Sequence, residues 1–176
     1  MTHNPIRRIL AVDIRSQKFG YAVLETPHRL LDWGVRTSGV RHRTWYIADL
    51  LHMYQPSAVV LRRITAGGKR DSPGARNIMR AIKSEACRFE APIAFLGTSA
   101  LNNFFRQYGM HTKYEIASLL AASFSELKWK LPPSRRKKSW KSEPRRMSVF
   151  DALQLGVVFL ALHVGEDAIR ALLVNG

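Results

Sequence analysis

The order of the apolar runs along this chain constrains its fold more than any other feature of the sequence. Continuous apolar runs bounded by turn residues predict buried strands, and apolar residues at a helical spacing predict helices. Three strand-like runs come first and helices then alternate with strands: strands at 8–13, 21–24, 30–37, 57–64 and 92–96, helices at 41–54, 75–89, 98–108, 112–128 and 148–163. This order predicts an α/β fold with a mixed sheet, three antiparallel strands followed by alternating helices and strands, and helices on both faces.

Two local details accompany these elements. In the helix at 41–54, the spacing predicts that Trp45, Ala48, Leu51 and Met53 lie near one face. The last helix is strongly apolar, and Ser148 at its start is a candidate N-cap.

The charge of the chain is strongly one-sided. Its 176 residues contain 28 Lys and Arg against 13 Asp and Glu, a formal net charge of +15, and 46% of positions are hydrophobic. Because this length and apolar content suffice for one core, we expect a single domain over 1–176. The positive excess favours a polyanionic partner, with nucleic acid ahead of an anionic membrane surface.

The cysteine content and the N-terminus indicate the compartment. The single cysteine, Cys87, excludes an intrachain disulfide and a multi-cysteine zinc cluster, which is typical of a reducing cytosol, and we expect it to fill part of the core. The first eight residues are too polar for a signal peptide, and the apolar stretch 149–164 is too short and too interrupted to span a bilayer. These features predict a soluble, cytoplasmic protein that is not inserted in a membrane.

A basic loop at 128–147 concentrates the charge. Residues 128–146 carry nine Lys or Arg against one acid. Cations contact backbone phosphates and an indole can stack on an unpaired base. The loop, extended by two cations after the fourth strand, therefore predicts a nucleic-acid-binding surface of Lys128, Trp129, Lys130, Arg135, Arg136, Lys137, Lys138, Trp140, Lys141, Arg145, Arg146, Lys69 and Arg70. The alternatives are a solvated loop and, for each tryptophan, packing on the body of the protein.

Two aspartates stand out as candidates for chemistry. Asp13 ends the first apolar strand and Asp151 lies in the first turn of the last helix. A carboxylate at the end of a buried strand needs a hydrogen bond, a cation or a metal, because burying it unpaired costs several kcal/mol. For Asp151 alone, compensation of the helix dipole, worth about 0.3 to 1 kcal/mol, is the simpler explanation.

The segments around these aspartates resemble a known family. The sequence Ile-Leu-Ala-Val-Asp-Ile-Arg-Ser-Gln-Lys-Phe-Gly-Tyr-Ala-Val-Leu-Glu at 9–25 resembles the opening strand and hairpin of the RuvC Holliday junction resolvases, and Ser-Val-Phe-Asp-Ala-Leu-Gln-Leu at 148–155 resembles their final helix. Between them, 55–61 is similar to the fourth strand of the family and 109–113 to the stretch with its functional lysine. The resemblance covers nearly the whole chain in order.

The resemblance implies an RNase H-like fold, a homodimer, and Mg²⁺- or Mn²⁺-dependent hydrolysis of phosphodiesters at branched DNA. It implies that Asp13 and Asp151 are metal ligands and catalytic residues, and that Lys113 contacts the scissile phosphate; without it, a solvated surface lysine is an equal alternative. The family has four acids at this site. The other two fall on Arg62 and Ser148, so half of the acidic set is missing.

Whether the site can still bind metal ions depends on the direction in which the side chain of Arg62 points. Two metal ions about 3.5 to 4 Å apart need several carboxylates. A guanidinium pointing inward would repel a metal by about 4 kcal/mol per unit charge at about 4 Å and an effective dielectric constant of about 20, and it could pair with Asp13 and Asp151 instead. The alternative is that strand alternation turns Arg62 outward, since a shift of one residue exchanges it with Arg63.

Three functions are compatible with these residues. The first is a RuvC-like protein that recognises branched DNA and whose two-metal nuclease site is degraded. The second is an active Mg²⁺- or Mn²⁺-dependent Holliday junction endonuclease, in which Asp13 and Asp151 hold one metal or an acid such as Glu115 joins them. The third is an RNA-binding protein of the RNase H fold that uses the same basic loop.

Overall fold

A computed structural model of the chain describes residues 8–26, 29–37, 40–132 and 145–165. The predicted binding residues Arg135, Arg136, Lys137, Lys138, Trp140 and Lys141 lie outside the described residues. In chain order, the described elements are β1 (Ile9–Ile14), β2 (Phe19–Thr26), β3 (Arg29–Arg36), α1 (Val40–Tyr54), β4 (Ala58–Arg62), α2 (Pro73–Arg88), β5 (Ile93–Leu96), α3 (Thr98–Arg106), α4 (Lys113–Ser123), a 3₁₀ helix (Ser125–Lys130) and α5 (Met147–Val164).

The sheet has five strands in the order β3-β2-β1-β4-β5. β1 pairs antiparallel with β2, and β2 pairs antiparallel with β3. β4 runs parallel to β1, and β5 runs parallel to β4. The predicted mixed sheet, with three antiparallel strands followed by alternating helices and strands, is confirmed.

Helices cover both faces of the sheet, as the sequence predicts. Side chains of successive strand residues point to opposite faces. In β1, Ile9 and Ala11 belong to the core cluster with α3, α4 and α5, whereas Leu10 and Val12 belong to the cluster with α1 and α2. β1 is buried along its whole length, which explains why its apolar run is continuous rather than alternating.

α5 packs unusually close to the sheet. A Cβ atom at Gly20 would lie 1.9 Å from the carbonyl oxygen of Ser148, and one at Gly156 would lie 2.4 Å from Cδ1 of Leu24. Gly20 is the partner of Asp13 in the register of β1 and β2. The start of α5 therefore rests directly beside Asp13.

The structure corrects two expectations about helix starts and ends. α5 begins at Met147 with Arg146 in the capping position, so Ser148 lies within the first turn and is not the N-cap. The helix predicted at 112–128 ends at Ser123, because Phe124 adopts extended backbone (φ −118°, ψ 90°) and inserts its buried side chain into the core. A 3₁₀ helix follows it.

Two further expectations are wrong: the residues named for α1 do not share one face, and Cys87 is not in the core. Trp45 and Met53 of α1 are 65% and 66% exposed, while Ile47 and Leu51 are buried, because residues two apart on a helix point to nearly opposite sides. Ala48 is half-buried. Cys87 does not fill the core but is exposed.

Within the described part of the chain, none of the helices combines the length and the apolarity that crossing a membrane requires.

We predict that the close approach at Gly20 limits substitution there. Gly20→Ala should lower the free energy of unfolding by about 1 to 3 kcal/mol, because the added methyl meets backbone rather than a side chain that can move. Urea denaturation measures the change. Gly97→Ser is the matched control, since its Cβ meets nothing within 4 Å and Gly97 caps α3, where serine is a favoured residue. Equal stability of Gly20→Ala and wild type would contradict the prediction.

Candidate functional site

Asp13 and Asp151 converge at one end of the sheet. Asp13 follows Ile9 and Ala11 on the face of β1 that α5 covers. Asp151 lies one turn into α5, next to the contact between Ser148 and Gly20. The two residues are 0% and 3% exposed, so both carboxylates are removed from water and require cationic or hydrogen-bonding partners.

Arg62 lies between the two carboxylates. β1 and β4 pair in the register Val12 to Leu61, and continuing that register by one residue brings Arg62 beside Asp13. Its Nε donates to Oδ1 of Asp13 at 2.8 Å, and its Nη2 lies 3.7 Å from Oδ1 of Asp151. The arginine is only 5% exposed. The side chain therefore points inward, and strand alternation does not turn it to solvent.

Three further cations complete the cluster. Arg15 bridges both acids, with Nε 3.0 Å from Oδ2 of Asp13 and Nη2 2.6 Å from Oδ2 of Asp151. Arg70 donates through Nη1 to Oδ1 of Asp13 at 2.6 Å, and Lys113 donates through Nζ to Oδ2 of Asp151 at 3.0 Å. Each of the four carboxylate oxygens thus lies within 4.0 Å of a cationic nitrogen.

The cluster carries excess positive charge. Four cationic side chains surround two carboxylates, so the cluster has a net formal charge of +2. Arg62 is buried, whereas the side chain of Lys113 is 48% exposed. Breaking a buried ion pair by removing one partner costs about 3 to 5 kcal/mol, because the remaining charge is left in the interior. The cluster is consequently a fixed part of the fold as well as a source of positive potential.

The residues present do not fit a two-metal centre. A divalent cation between the carboxylates would face the guanidinium of Arg62, and every carboxylate oxygen already has a cationic partner. Among the residues that the structure describes, no three His, Cys, Asp or Glu side chains group together to hold a metal ion. Ser148 is buried and adds no charge.

Other nearby acids are engaged elsewhere. Glu115 caps its own helix by accepting from the backbone N–H groups of His111 and Thr112, both at 2.8 Å, and these bonds lower the pKa of its carboxyl. Asp71 accepts from the backbone N–H of Gly67 at 2.9 Å, a bond that, with the guanidinium of Arg76, lowers the pKa of Asp71. The capping bonds thus occupy the carboxylate of Glu115 at the start of α4.

A cleft of about 570 Å³ opens over the cluster. We call it the aspartate cleft; cations that line it are Arg15, Arg62, Arg63, Lys69, Arg70 and Lys113. Arg63 and Lys69 are exposed, and no carboxylate of the described residues pairs with either. A smaller cleft of about 270 Å³ continues past Lys69 and Arg70 to Lys18. The surface above the buried aspartates is therefore concave and positively charged, which favours binding of an anion.

Most of the cations in the described part of the basic loop are exposed. Trp129 is 63% exposed, so its packing in the core is excluded. Its ring lies 5.9 Å from that of Trp33 in an edge-on contact, and Nζ of Lys130 lies 4.3 Å from the ring centroid of Trp129. Lys128, Arg145 and Arg146 are also exposed. These side chains are accessible to a polyanion, and their predicted role in binding stays a prediction.

Sequence reasoning missed two members of the cluster. Arg15 follows Asp13 by two residues, the spacing that keeps side chains on one side of a strand, and this signal could have identified it. Gln154 follows Asp151 by three residues on one helix face and accepts from Nη2 of Arg62 at 3.4 Å. Arg70 was expected only on the nucleic-acid surface, and the structure also places it on Asp13.

Comparison with known proteins identifies the fold. No family model matches the chain, and no curated protein matches its sequence significantly. The structure of RuvC from Thermus thermophilus matches with a TM-score of 0.67 at 16% identity, over 89% of this chain and 96% of that chain. RuvC of T. thermophilus in complex with Holliday junction substrate matches with a TM-score of 0.63 at 14% identity, over 90% and 96% of the two chains.

A mitochondrial protein gives a similar result. The yeast mitochondrial Holliday junction resolvase, Ydc2, matches with a TM-score of 0.63 at 10% identity, over 96% of this chain and 84% of that chain. The predicted α/β RNase H-like fold is therefore confirmed, and it is of the RuvC-like type. At these identities the similarity shows the fold alone, and a function has to be inferred from the residues of the site.

We predict that Asp13 holds the cluster together. Asp13→Asn should lower the free energy of unfolding by about 3 to 5 kcal/mol, because Arg62, Arg70 and Arg15 lose their charged acceptor. Urea denaturation at neutral pH measures this change. Asp49→Asn, at an exposed position of α1, is the matched control and should change stability by less than about 0.5 kcal/mol. A similar small change in both variants would show that the cluster does not stabilise the fold.

Proposed function

We propose that this chain binds branched DNA and that its site recognises phosphates through fixed cations instead of cleaving them through metal ions. The single observation that carries the proposal is the position of Arg62. Its guanidinium lies between Asp13 and Asp151, in the place that a metal ion would take in a metal-dependent site. The resolvase fold supports branched DNA as the class of partner, since the matched structures include a RuvC in complex with Holliday junction substrate.

The aspartate cleft offers phosphates two kinds of cation. Arg62 is buried and held by the acids, so it contributes potential rather than contact. Lys69 and Arg63 are exposed, and Lys113 is half-exposed while bonded to Asp151. Such side chains can contact a backbone phosphate without leaving their positions, and each contact releases condensed counterions. Binding therefore requires no divalent ion.

The ion pairs of Asp13 and Asp151 argue against the alternative function, metal-dependent hydrolysis of DNA. Water activation by two metals requires carboxylates that bridge them and balance their charge, and here both acids are neutralised by guanidinium and ammonium groups. For this reason the binding function is favoured over an active endonuclease. The homodimer, the cytoplasmic location and the single domain stay predictions.

The proposal is tested with a labelled four-way junction in Mg²⁺, in Mn²⁺ and in EDTA. We expect binding in EDTA that is at least as tight as in Mg²⁺ or Mn²⁺, because divalent ions compete for the phosphates, and we expect intact DNA in all three buffers, with weaker binding to linear duplex. Cleavage by wild type in Mg²⁺ or Mn²⁺ that is absent in EDTA, and absent in Asp13→Asn at a temperature where circular dichroism shows the variant folded, would show an active endonuclease instead. Preference for structured RNA over the junction, in competition at fixed salt, would contradict the assignment to DNA.

We further predict a measurable electrostatic role for Lys69. Affinity should fall steeply with salt, and Lys69→Gln should reduce the slope of log K against log salt by about 0.9, the value of one phosphate contact on duplex DNA. Arg106→Gln is the control, because Arg106 is exposed on α3 and does not line the aspartate cleft. An unchanged slope for Lys69→Gln would remove this residue from the contact surface.

A further inference from the structure

Two tryptophan rings and a lysine come together at the β3 edge of the sheet. β3 is the last strand of the sheet on its side, and Trp33 packs against the core cluster that includes α5. The ring of Trp33 lies 5.9 Å from that of Trp129, which belongs to the 3₁₀ helix after α4. Nζ of Lys130 lies over both rings, 5.2 Å from the centroid of Trp33 and 4.3 Å from that of Trp129. We call these three residues the tryptophan patch.

The tryptophan patch presents positive charge and hydrogen-bond donors. Trp129 is 63% exposed, and its indole N–H, like the ammonium of Lys130, can only donate. Within the described part of the chain, no acid forms an ion pair with Lys130 or with its exposed neighbour Lys128. A surface whose polar groups all donate fits a partner that is rich in acceptors and negative charge. The sugar–phosphate backbone of a nucleic acid is such a partner.

The position of Lys130 also indicates which part of a nucleic acid fits. Because its ammonium lies over both rings, a base could stack there only by displacing it and breaking two cation–π contacts. A backbone needs no stacking face, since the ammonium can contact a phosphate and the exposed part of Trp129 can contact the adjoining sugar. The tryptophan patch therefore suits the backbone of a duplex more than an unpaired base.

α4 sets the distance between the tryptophan patch and the aspartate cleft. Lys113, the first residue of α4, donates to Asp151 beneath the cleft. The 3₁₀ helix that carries Trp129 follows the last residue of α4. The helix has 11 residues, and a rise of about 1.5 Å per residue separates its ends by about 16 Å. The two surfaces thus lie at opposite ends of α4, and neither Trp129 nor Lys130 lines the aspartate cleft.

We propose that the tryptophan patch binds the backbone of a second duplex arm while the aspartate cleft holds the first. The proposal rests on the proposed function and deepens it, because it names the surface that distinguishes branched DNA from a linear duplex. Charge complementarity selects this occupant, since the patch joins a cation without an acidic partner to an exposed indole donor. A linear duplex that lies in the cleft leaves the patch empty, whereas a branch supplies a further arm that reaches it.

The test measures the affinity of the full chain for a labelled four-way junction and for a linear duplex with the sequence of two of its arms, in EDTA. Wild type should bind the junction more tightly. Trp129→Leu should weaken junction binding on the order of tenfold and change the affinity for the duplex by less than about twofold. Lys130→Gln should reduce the slope of log K against log salt by about 0.9 for the junction and leave the slope for the duplex unchanged.

Two matched control variants separate the tryptophan patch from general effects. Trp45→Leu removes an indole of α1 that is 65% exposed, close to the 63% of Trp129, and Arg106→Gln removes an exposed cation of α3. If Trp129→Leu and Lys130→Gln bind both DNAs like these controls, the patch proposal is wrong and the proposed function stands.

Two further outcomes also decide the matter. If Trp129→Leu and Lys130→Gln weaken the binding of junction and duplex equally, both surfaces hold one duplex and the assignment of a second arm is wrong. If wild type binds the junction no more tightly than the duplex, the proposed function fails, and the patch proposal with it.

Discussion

The contact between the guanidinium of Arg62 and the buried carboxylate of Asp13 is the interaction on which the site depends. Burying either ion alone would cost several kcal/mol, and only a well-placed partner offsets this cost. The 2.8 Å bond from Nε of Arg62 to Asp13 supplies that partner inside the protein. Because the ions satisfy each other, neither leaves an uncompensated charge at the buried end of the sheet.

Strand register and helix packing, and not the ion pairs themselves, bring these charged residues together. The parallel pairing of β1 with β4 sets Asp13 beside Arg62, and the contact of α5 at Gly20 sets Asp151 above them. The positions are therefore properties of strand register and helix packing. Because strand register and not residue type sets this position, an arginine can stand there without disturbing the fold, and a RuvC-like fold can hold a cationic site.

Sequence patterns predicted the parts of this structure that depend on periodicity. The continuous apolar runs of β1 and β4 identified central strands, and alternation from Ile9 to Asp13 and from Ala58 to Arg62 sets both side chains on the face of α5. Long side chains were harder to predict, because Arg70 reaches Asp13 from an irregular connection with no period. The end of α4 at Ser123 was missed for a related reason, since burial of Phe124 outweighs local helical propensity.

In the proposed function, the same geometry separates recognition of a phosphate from its hydrolysis. A metal ion in such a site contacts both the substrate and the attacking water, whereas the guanidinium of Arg62 is held by two acids and lines the bottom of the aspartate cleft. Fixed charge attracts a phosphate without activating water. In the proposed function, the exposed cations Lys69 and Arg63 provide the contact with the phosphate. In the proposed function, Arg62 and Ser148, which stand where the resemblance expects two further acids, provide no metal ligand, and the charge of Arg62 adds to the potential that attracts phosphate.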